Sequence, residues 1–265
     1  MRSGIKVAFL NATSLKKHRS QLHQALSADS FYHVFGLVES RLKSEIDDCH
    51  IDMPGYSVLR QDHNPAGGGI ILYVKNNLKK KVLHTSKTTQ QCKPLLPEYI
   101  TVWEEHSPPT LIVLVYRPPN VPIRSDKQLV RILRSACSDY SHKIIMGDWN
   151  ADMSTQNCPD SRFIRELMAE LSLKLVETGP SHHAPTKSSW IHIILTAGCD
   201  SILDFDRRLS SFPSRHDIIS VTISTFRPVQ SNTTYSYRNI RKITPGDLCS
   251  TSQNCDWSAF FLYGN

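Results

Sequence analysis

Lys143-Ile144-Ile145-Met146-Gly147-Asp148-Trp149-Asn150 is the stretch whose reading decides the fold. Its apolar run is too short for a helix and reads as a buried strand. Gly147 lets the backbone turn at the strand end without a Cβ clash. The side chains that follow then project from the rim of a sheet into a cleft. An Asp and an Asn one residue apart form a carboxylate–amide pair there, suited to orienting a water, a metal or a phosphate oxygen. Turn-forming polar residues at a strand end are the plainer alternative. The rest of the chain separates the two.

Outward from this segment, strand signals alternate with helix signals. Ile5 to Leu10, Tyr32 to Val38 and Thr110 to Tyr116 are buried-strand runs. Tyr56–Arg60 and Gly69–Val74 flank the turn signal Asn64-Pro65-Ala66-Gly67-Gly68, which predicts an antiparallel pair. Ser189–Leu195 and Asp217–Ile223 are short strands. Helical spacing of Leu15, Leu22 and Leu26 predicts a helix over Ser14–Leu26, and further helices over Lys127–Cys137 and Ser161–Leu171. Strands that come both in pairs and alternating with helices predict an α/β fold: a four-layer sandwich of two mixed sheets packed face to face, with helices on both outer sides. The domain spans residues 1–225. From about Phe226 the apolar periodicity fades, so residues 226–265 read as an irregular linker or tail.

Composition narrows the class. The chain has 265 residues, 40% hydrophobic and 21% charged, which is globular. Its net charge of +7 leans toward a polyanionic partner. No apolar run reaches the roughly 18 residues of a membrane span, and the N-terminus reads as a first strand rather than a signal peptide. The 7 cysteines lack Cys-x-x-Cys spacing, which argues against a disulfide framework and against a zinc site. The expected setting is intracellular, not secreted. Lys79-Lys80-Lys81 reads as a solvated, edge-protecting run or a DNA-backbone contact. His182-His183 reads as a solvated loop, and Trp149 as a core aromatic.

Polar residues recur just after the buried strands: Asn11, Glu39, Tyr116, Asp148 and Asn150. His192 lies in Trp190-Ile191-His192-Ile193, and Arg215-His216 precede Asp217. If strand ends converge at one sheet edge, these form an inventory for hard cations and phosphate.

Taken in order, Asn11, Val38-Glu39-Ser40-Arg41-Leu42-Lys43, Tyr116-Arg117-Pro118-Pro119-Asn120, Gly147-Asp148-Trp149-Asn150, Ser189-Trp190-Ile191-His192 and Ser214-Arg215-His216 resemble the endonuclease/exonuclease/phosphatase superfamily. Gly67-Gly68-Gly69-Ile70-Ile71-Leu72-Tyr73-Val74 and Tyr-Arg-Pro-Pro-Asn resemble its apurinic-type endonuclease domains from non-LTR retrotransposons. The likeness covers roughly residues 4–224. Tyr235-Ser236-Tyr237-Arg238-Asn239 and Cys255-Asp256-Trp257-Ser258 resemble the segment before a reverse transcriptase. The chain accordingly reads as a truncated, partly degenerate copy.

The resemblance implies a DNase-like fold and a divalent-cation-dependent DNA phosphodiesterase. It would nick double-stranded target DNA to leave a 3′-hydroxyl primer. Glu39, supported by Asn11, would hold Mg²⁺ (or Mn²⁺). Asp148 and Asn150 would position and activate the attacking water. Tyr116 would hydrogen-bond the phosphate, and His216 would stabilise charge on phosphorus. Asn120 and Ser181 would contact phosphate or DNA. A monomer is expected, nuclear if functional, with no membrane and no small-molecule cofactor.

Two positions depart from the family pattern. His192 stands where Ser-x-Ile-Asp has its Asp, and Arg215 where Ser-Asp-His has its Asp. The first lost carboxylate orients the catalytic His. Two imidazoles facing each other also disfavour double protonation. Arg215 is expected to pair with Glu39 in the cation's place. Three outcomes stay open: a slowed nickase, an inactive DNA-binding remnant, or a fragment of a decayed element without function. A lipid or inositol phosphatase of the same superfamily is disfavoured by the retrotransposon-type strings.

Overall fold

The computed structural model describes residues 4–18, 20–22, 26, 32–63, 67–86, 97–104, 109–119, 121, 127–156, 158–198, 202–210, 214–224 and 244–253. The chain forms two compact units, Met1–Arg227 and Pro228–Asn265.

The first unit holds two six-stranded sheets. The first sheet contains β1 (Gly4–Asn11), β2 (Val34–Val38), β3 (Tyr56–Gln61), β4 (Ile70–Lys75), β13 (Ile202–Leu209) and β14 (Asp217–Ser224), in the order β13-β14-β1-β2-β4-β3. The second contains β5 (Lys80–Thr85), β6 (Glu98–Glu104), β7 (Thr110–Tyr116), β8 (His142–Asp148), β9 (Lys174–Leu175) and β12 (His192–Ala197), in the order β5-β6-β7-β8-β12-β9. Each sheet is mixed. β1 runs parallel to β2, and β7 parallel to β8, while their other neighbours are antiparallel.

Three apolar layers follow from the alternation of side chains along the strands. Val7, Phe9, Val34, Val38, Ile70 and Leu72 of the first sheet meet Ile112, Leu114, Ile144, Met146 and Ile194 of the second in one buried cluster. The opposite face of the second sheet, with Val113, Val115 and Ile145, packs on Leu129 and Leu133 of α1 (Lys127–Asp139) and on Ile164 and Leu167 of α2 (Pro159–Glu170). The outer face of the first sheet, with Ala8, Leu10 and Phe35, packs on Leu15, Leu22 and Leu26. The leucines that predicted the first helix are thus buried, and Leu15 lies in a 3-10 turn, Leu15–Lys17. The two mixed sheets packed face to face are the predicted sandwich.

Differences from the sequence reading are local. The run Ser189–Leu195 is not one strand. Ser188–Ser189 pairs with His182–His183 as a two-residue hairpin, β11 with β10. The carbonyls of Trp190 and Ile191 instead accept from Met153 and Trp149 N–H, so these residues bind the loop after Asp148. His182 and His183 are therefore half-buried hairpin residues and not a solvated loop. Lys80 and Lys81 lie on β5, the sheet's edge strand, where charge discourages edge pairing. Trp149 is fully buried, as read. The second unit contains a helix, α3 (Pro245–Gln253), with Pro245 at its first turn, where the missing N–H costs no helical bond. No described helix is long and apolar enough to cross a membrane.

Candidate active site

The parallel pairs place four strand ends at one rim. Asn11 ends β1 opposite Val38, and Tyr116 ends β7 opposite Asp148. His192 begins β12 opposite Asp148 from the other side. His216 immediately precedes β14, the antiparallel neighbour of β1. The sequence candidates Asn11, Glu39, Tyr116, Asp148, Asn150, His192 and His216 are brought together there.

Asn11 is fully buried and joins the sheets. Its amide nitrogen donates to Glu39 Oε1 at 3.0 Å and to Asp148 Oδ2 at 2.9 Å. Its amide oxygen accepts from Thr13 N–H at 2.9 Å. Asn11 thus presents a donor, not an oxygen, toward Glu39, and orients that carboxylate. The Tyr116 hydroxyl donates to the same Glu39 oxygen at 3.4 Å. Burial, then the charges of Glu39 and Asp148, push the Tyr116 phenol up, so it remains a donor.

Glu39 Oε2 is held by the Arg41 guanidinium at 2.8 Å. This corrects the expectation for Arg215, whose side chain is exposed while its backbone carbonyl accepts from His183 N–H. Arg41 sits two residues from Glu39, and both adopt the left-handed backbone, φ +53 for each. Asn150 does too, at φ +46. Non-glycine residues in this region are uncommon and gather where surrounding contacts fix them.

One such contact network starts at Glu98, which sequence reasoning passed over. Glu98 is buried on β6 and accepts from Gly69 N–H at 2.7 Å. The Gly69 and Gly68 carbonyls in turn accept from Ser40 N–H at 2.9 Å and Arg41 N–H at 3.0 Å. A Cβ on Gly68 would stand 2.6 Å from Glu98 Oε1, and one on Gly69 would collide with Ser40 Oγ. The glycine run is therefore a close-approach device that fixes the segment after Glu39. Burial drives the Glu98 carboxyl up to about 8, with Glu39 and Asp62 adding to it against the Gly69 hydrogen bond.

Asp148 is buried, and burial alone would raise its carboxyl. Contacts from His192, Asn11 and the Asn150 backbone outweigh that and hold it below the usual range. Asn150 N–H donates to Asp148 Oδ1 at 3.0 Å, while its side-chain amide donates to the Arg117 carbonyl at 2.7 Å. Arg117, which follows Tyr116 in the Tyr-Arg-Pro-Pro-Asn string, is 1% exposed. It donates to the Trp149 carbonyl at 2.9 Å and pairs with Asp160 at 2.7 Å, fastening the post-strand loop to α2.

His192 and His216 face each other, with His216 Nδ1 2.8 Å from His192 Nε2 and the rings stacked at 4.8 Å. His192 Nε2 is 3.6 Å from Asp148 Oδ2. Burial, then the neighbouring His192, depress His216 to about 3. The His182 ring also packs against it, tilted, at 4.7 Å between centroids. His183 pairs with Asp217 at 2.8 Å. Ser181 is buried, and its hydroxyl makes no hydrogen bond with the described residues. Asn120 lies outside the described residues.

Two groups have metal-binding chemistry. One is the Glu39 carboxylate, whose oxygen donors suit a hard cation such as Mg²⁺, with waters filling the remaining positions. The other is Asp148, His192 and His216, whose ligand atoms all lie within 4.8 Å of one another.

Neither the protein-family models nor the curated proteins give a sequence match. Solved structures do match. The 3′ phosphatase NExo from Neisseria, bound to product DNA hairpin, superposes with TM-score 0.66 at 14% identity, covering 82% of this chain and 98% of that one. The endonuclease domain of TRAS1, a telomere-specific non-LTR retrotransposon, gives TM-score 0.62 at 15% identity over 83% of this chain and 99% of the other. The AP endonuclease LMAP from Leishmania major gives 0.62 at 16%, over 84% and 88%. The fold is that of the endonuclease/exonuclease/phosphatase enzymes.

Proposed function

We propose that this chain is a divalent-metal-dependent phosphodiesterase domain of retrotransposon origin, which nicks double-stranded DNA to leave a 3′-hydroxyl, with its rate reduced by His192. One observation carries the reading. Asn11 ties Glu39 and Asp148 together across two sheets at a rim that also holds Tyr116, Asn150 and His216. Glu39 would hold Mg²⁺ or Mn²⁺, which when bound neutralises a phosphate oxygen and a leaving oxygen. Asp148, kept ionised, accepts a proton from a water in the cleft. Asn150 N–H and Asn11 hold that carboxylate in place. Tyr116 donates to a phosphate oxygen.

The impairment follows from the histidine pair. In a dyad with a carboxylate, His216 would be oriented and its cation stabilised. Beside a second imidazole it has neither support, and its pKa is driven down instead. The analogous loss in a serine-protease triad costs on the order of 10⁴ in rate. A second reading, DNA binding without cleavage, is favoured by the same contact together with the net charge of +7.

Plasmid nicking in Mg²⁺ tests this with wild type, His192→Asp, the His192→Asp/Arg215→Asp double variant, and Asp148→Ala. We expect strong gain in the double variant and none in Asp148→Ala. A wild type as fast as the double variant would refute impairment. A double variant that binds but does not nick would leave only the binding reading. Negligible DNA affinity at low salt would remove both.

A further inference from the structure

We propose that Asp148, His192 and His216 form a site for a borderline transition-metal ion, zinc above all, separate from the hard-cation chemistry of Glu39. Cysteine spacing speaks against a thiolate zinc site only. Here the donors are two imidazole nitrogens and one carboxylate, brought together by the histidine that replaces an acid.

Three features of the geometry carry this. First, the donor atoms converge. His192 Nε2 lies 2.8 Å from His216 Nδ1 and 3.6 Å from Asp148 Oδ2, and the whole set falls within 4.8 Å. Zinc–nitrogen and zinc–oxygen bonds are roughly 2.0–2.2 Å, so ligand atoms on one ion stand roughly 3–3.5 Å apart. The histidine pair must open slightly, and the widest pair of ligand atoms must draw in by about 1 Å.

Second, the ligands are held before any ion arrives. Asn11 donates to Asp148 Oδ2 at 2.9 Å, and Asn150 N–H secures Oδ1 at 3.0 Å. Phe9 meets the His192 ring edge-to-face at 5.1 Å. His182 packs on His216. Such outer contacts orient ligands and strengthen binding.

Third, the tautomer is available. His192 Nδ1 is buried without a hydrogen bond, so it can take up the proton that Nε2 directs at Asp148 when no ion is bound. A proton on Nδ1 leaves the Nε2 lone pair facing Asp148 and His216, the arrangement a cation completes. Half-buried His216 leaves one side of the cluster open to water. Three protein ligands and one water are zinc's usual arrangement where a position stays open. Imidazole nitrogen also discriminates against Mg²⁺, which prefers oxygen and keeps its waters.

The test is direct binding, independent of whether the chain nicks DNA. Zn²⁺ titration by calorimetry, and the visible spectrum of the Co²⁺ form, are recorded for wild type, His192→Gln, His216→Gln and His192→Asp. We expect one tight equivalent in wild type, with a low-symmetry Co²⁺ spectrum that millimolar Mg²⁺ does not bleach. Each Gln variant should weaken that equivalent by more than the roughly 10–100-fold typical of losing an outer-shell partner. His192→Asp should shift preference toward Mg²⁺. His216→Gln, at a half-buried position, guards against a His192 variant that fails to fold. Absence of a tight equivalent in wild type, or unchanged zinc affinity in folded Gln variants, would overturn the proposal.

Discussion

Arg41 holds Glu39 through a 2.8 Å contact to Oε2, on the side of the carboxylate that Asn11 and Tyr116 leave free. The two side chains are 33% and 17% exposed, so solvent screens the pair. A divalent cation on Glu39 competes with this guanidinium. Partly exposed pairs contribute about 0.2–1 kcal/mol, which corresponds to roughly a 1.4- to fivefold change in affinity. Arg41→Gln should therefore tighten Mn²⁺ binding by about that factor, measured by the loss of the free-ion electron paramagnetic resonance signal. An unchanged midpoint would mean that Arg41 does not stand in the cation's place.

Asn11 makes two hydrogen bonds to carboxylates from a fully buried position. Hydrogen bonds to charged groups contribute about 1.5–3 kcal/mol each, and they are not additive within one network. Asn11→Ala should lower unfolding free energy by about 2–4 kcal/mol in urea at neutral pH, with an unchanged slope. It should also raise the Asp148 pKa, since one of the groups that holds it down is gone. A loss below about 0.5 kcal/mol, the range of ordinary surface changes, would show that the bridge between sheets is not structural.

Glu98 gives the protein a pH dependence with a definite sign. Its carboxyl titrates near 4.5 in the unfolded chain and at about 8 when folded. The folded state binds the proton more tightly, so this group's contribution is fully present below about pH 4.5. It is lost progressively as pH rises toward 8. Glu98→Gln keeps an oxygen for Gly69 N–H and removes the titration. Melting temperatures measured from pH 5 to 8 should fall less steeply in the variant than in wild type. Parallel profiles would mean that Glu98 is ionised in the folded protein.

Much of this frame was legible in the sequence. Strands such as Thr110–Tyr116 are continuous apolar runs because both sheet faces are buried, and their ends announce themselves by the first polar residue. That is why Asn11, Glu39, Tyr116 and Asp148 could be picked out and do meet at one rim. What escaped depends on direction. Arg41 and Arg215 are both arginines next to motif residues, and only the left-handed turn at Glu39 decides which one reaches its carboxylate. Glu98 sits at the start of a strand that lacked a strong signal, and its partner is a backbone N–H 29 residues away. The exposed strand Ile202–Leu209 likewise carried no periodic pattern. The hairpin at His182–His183 is two residues long, too short for any alternation to register.

Gly147 is required for a different reason than the sequence suggested. It does not end the strand. It lies within β8, paired with Val115 of β7, and an added Cβ would collide with the Val115 carbonyl. The obstacle is backbone, so no side-chain rotation relieves it. Gly147→Ala must push β8 away from β7 at the residue before Asp148, disturbing the carboxylate as well as the sheet. We expect a loss of about 3–5 kcal/mol, at or above the roughly 1–3 kcal/mol typical of side-chain overpacking, because the obstacle is backbone. Propensity alone would act the other way, stabilising the strand by roughly 0.5–1 kcal/mol. Urea unfolding of Gly147→Ala decides between the two. A cost of 1 kcal/mol or less would mean that β7 and β8 are not as closely apposed as the structure places them.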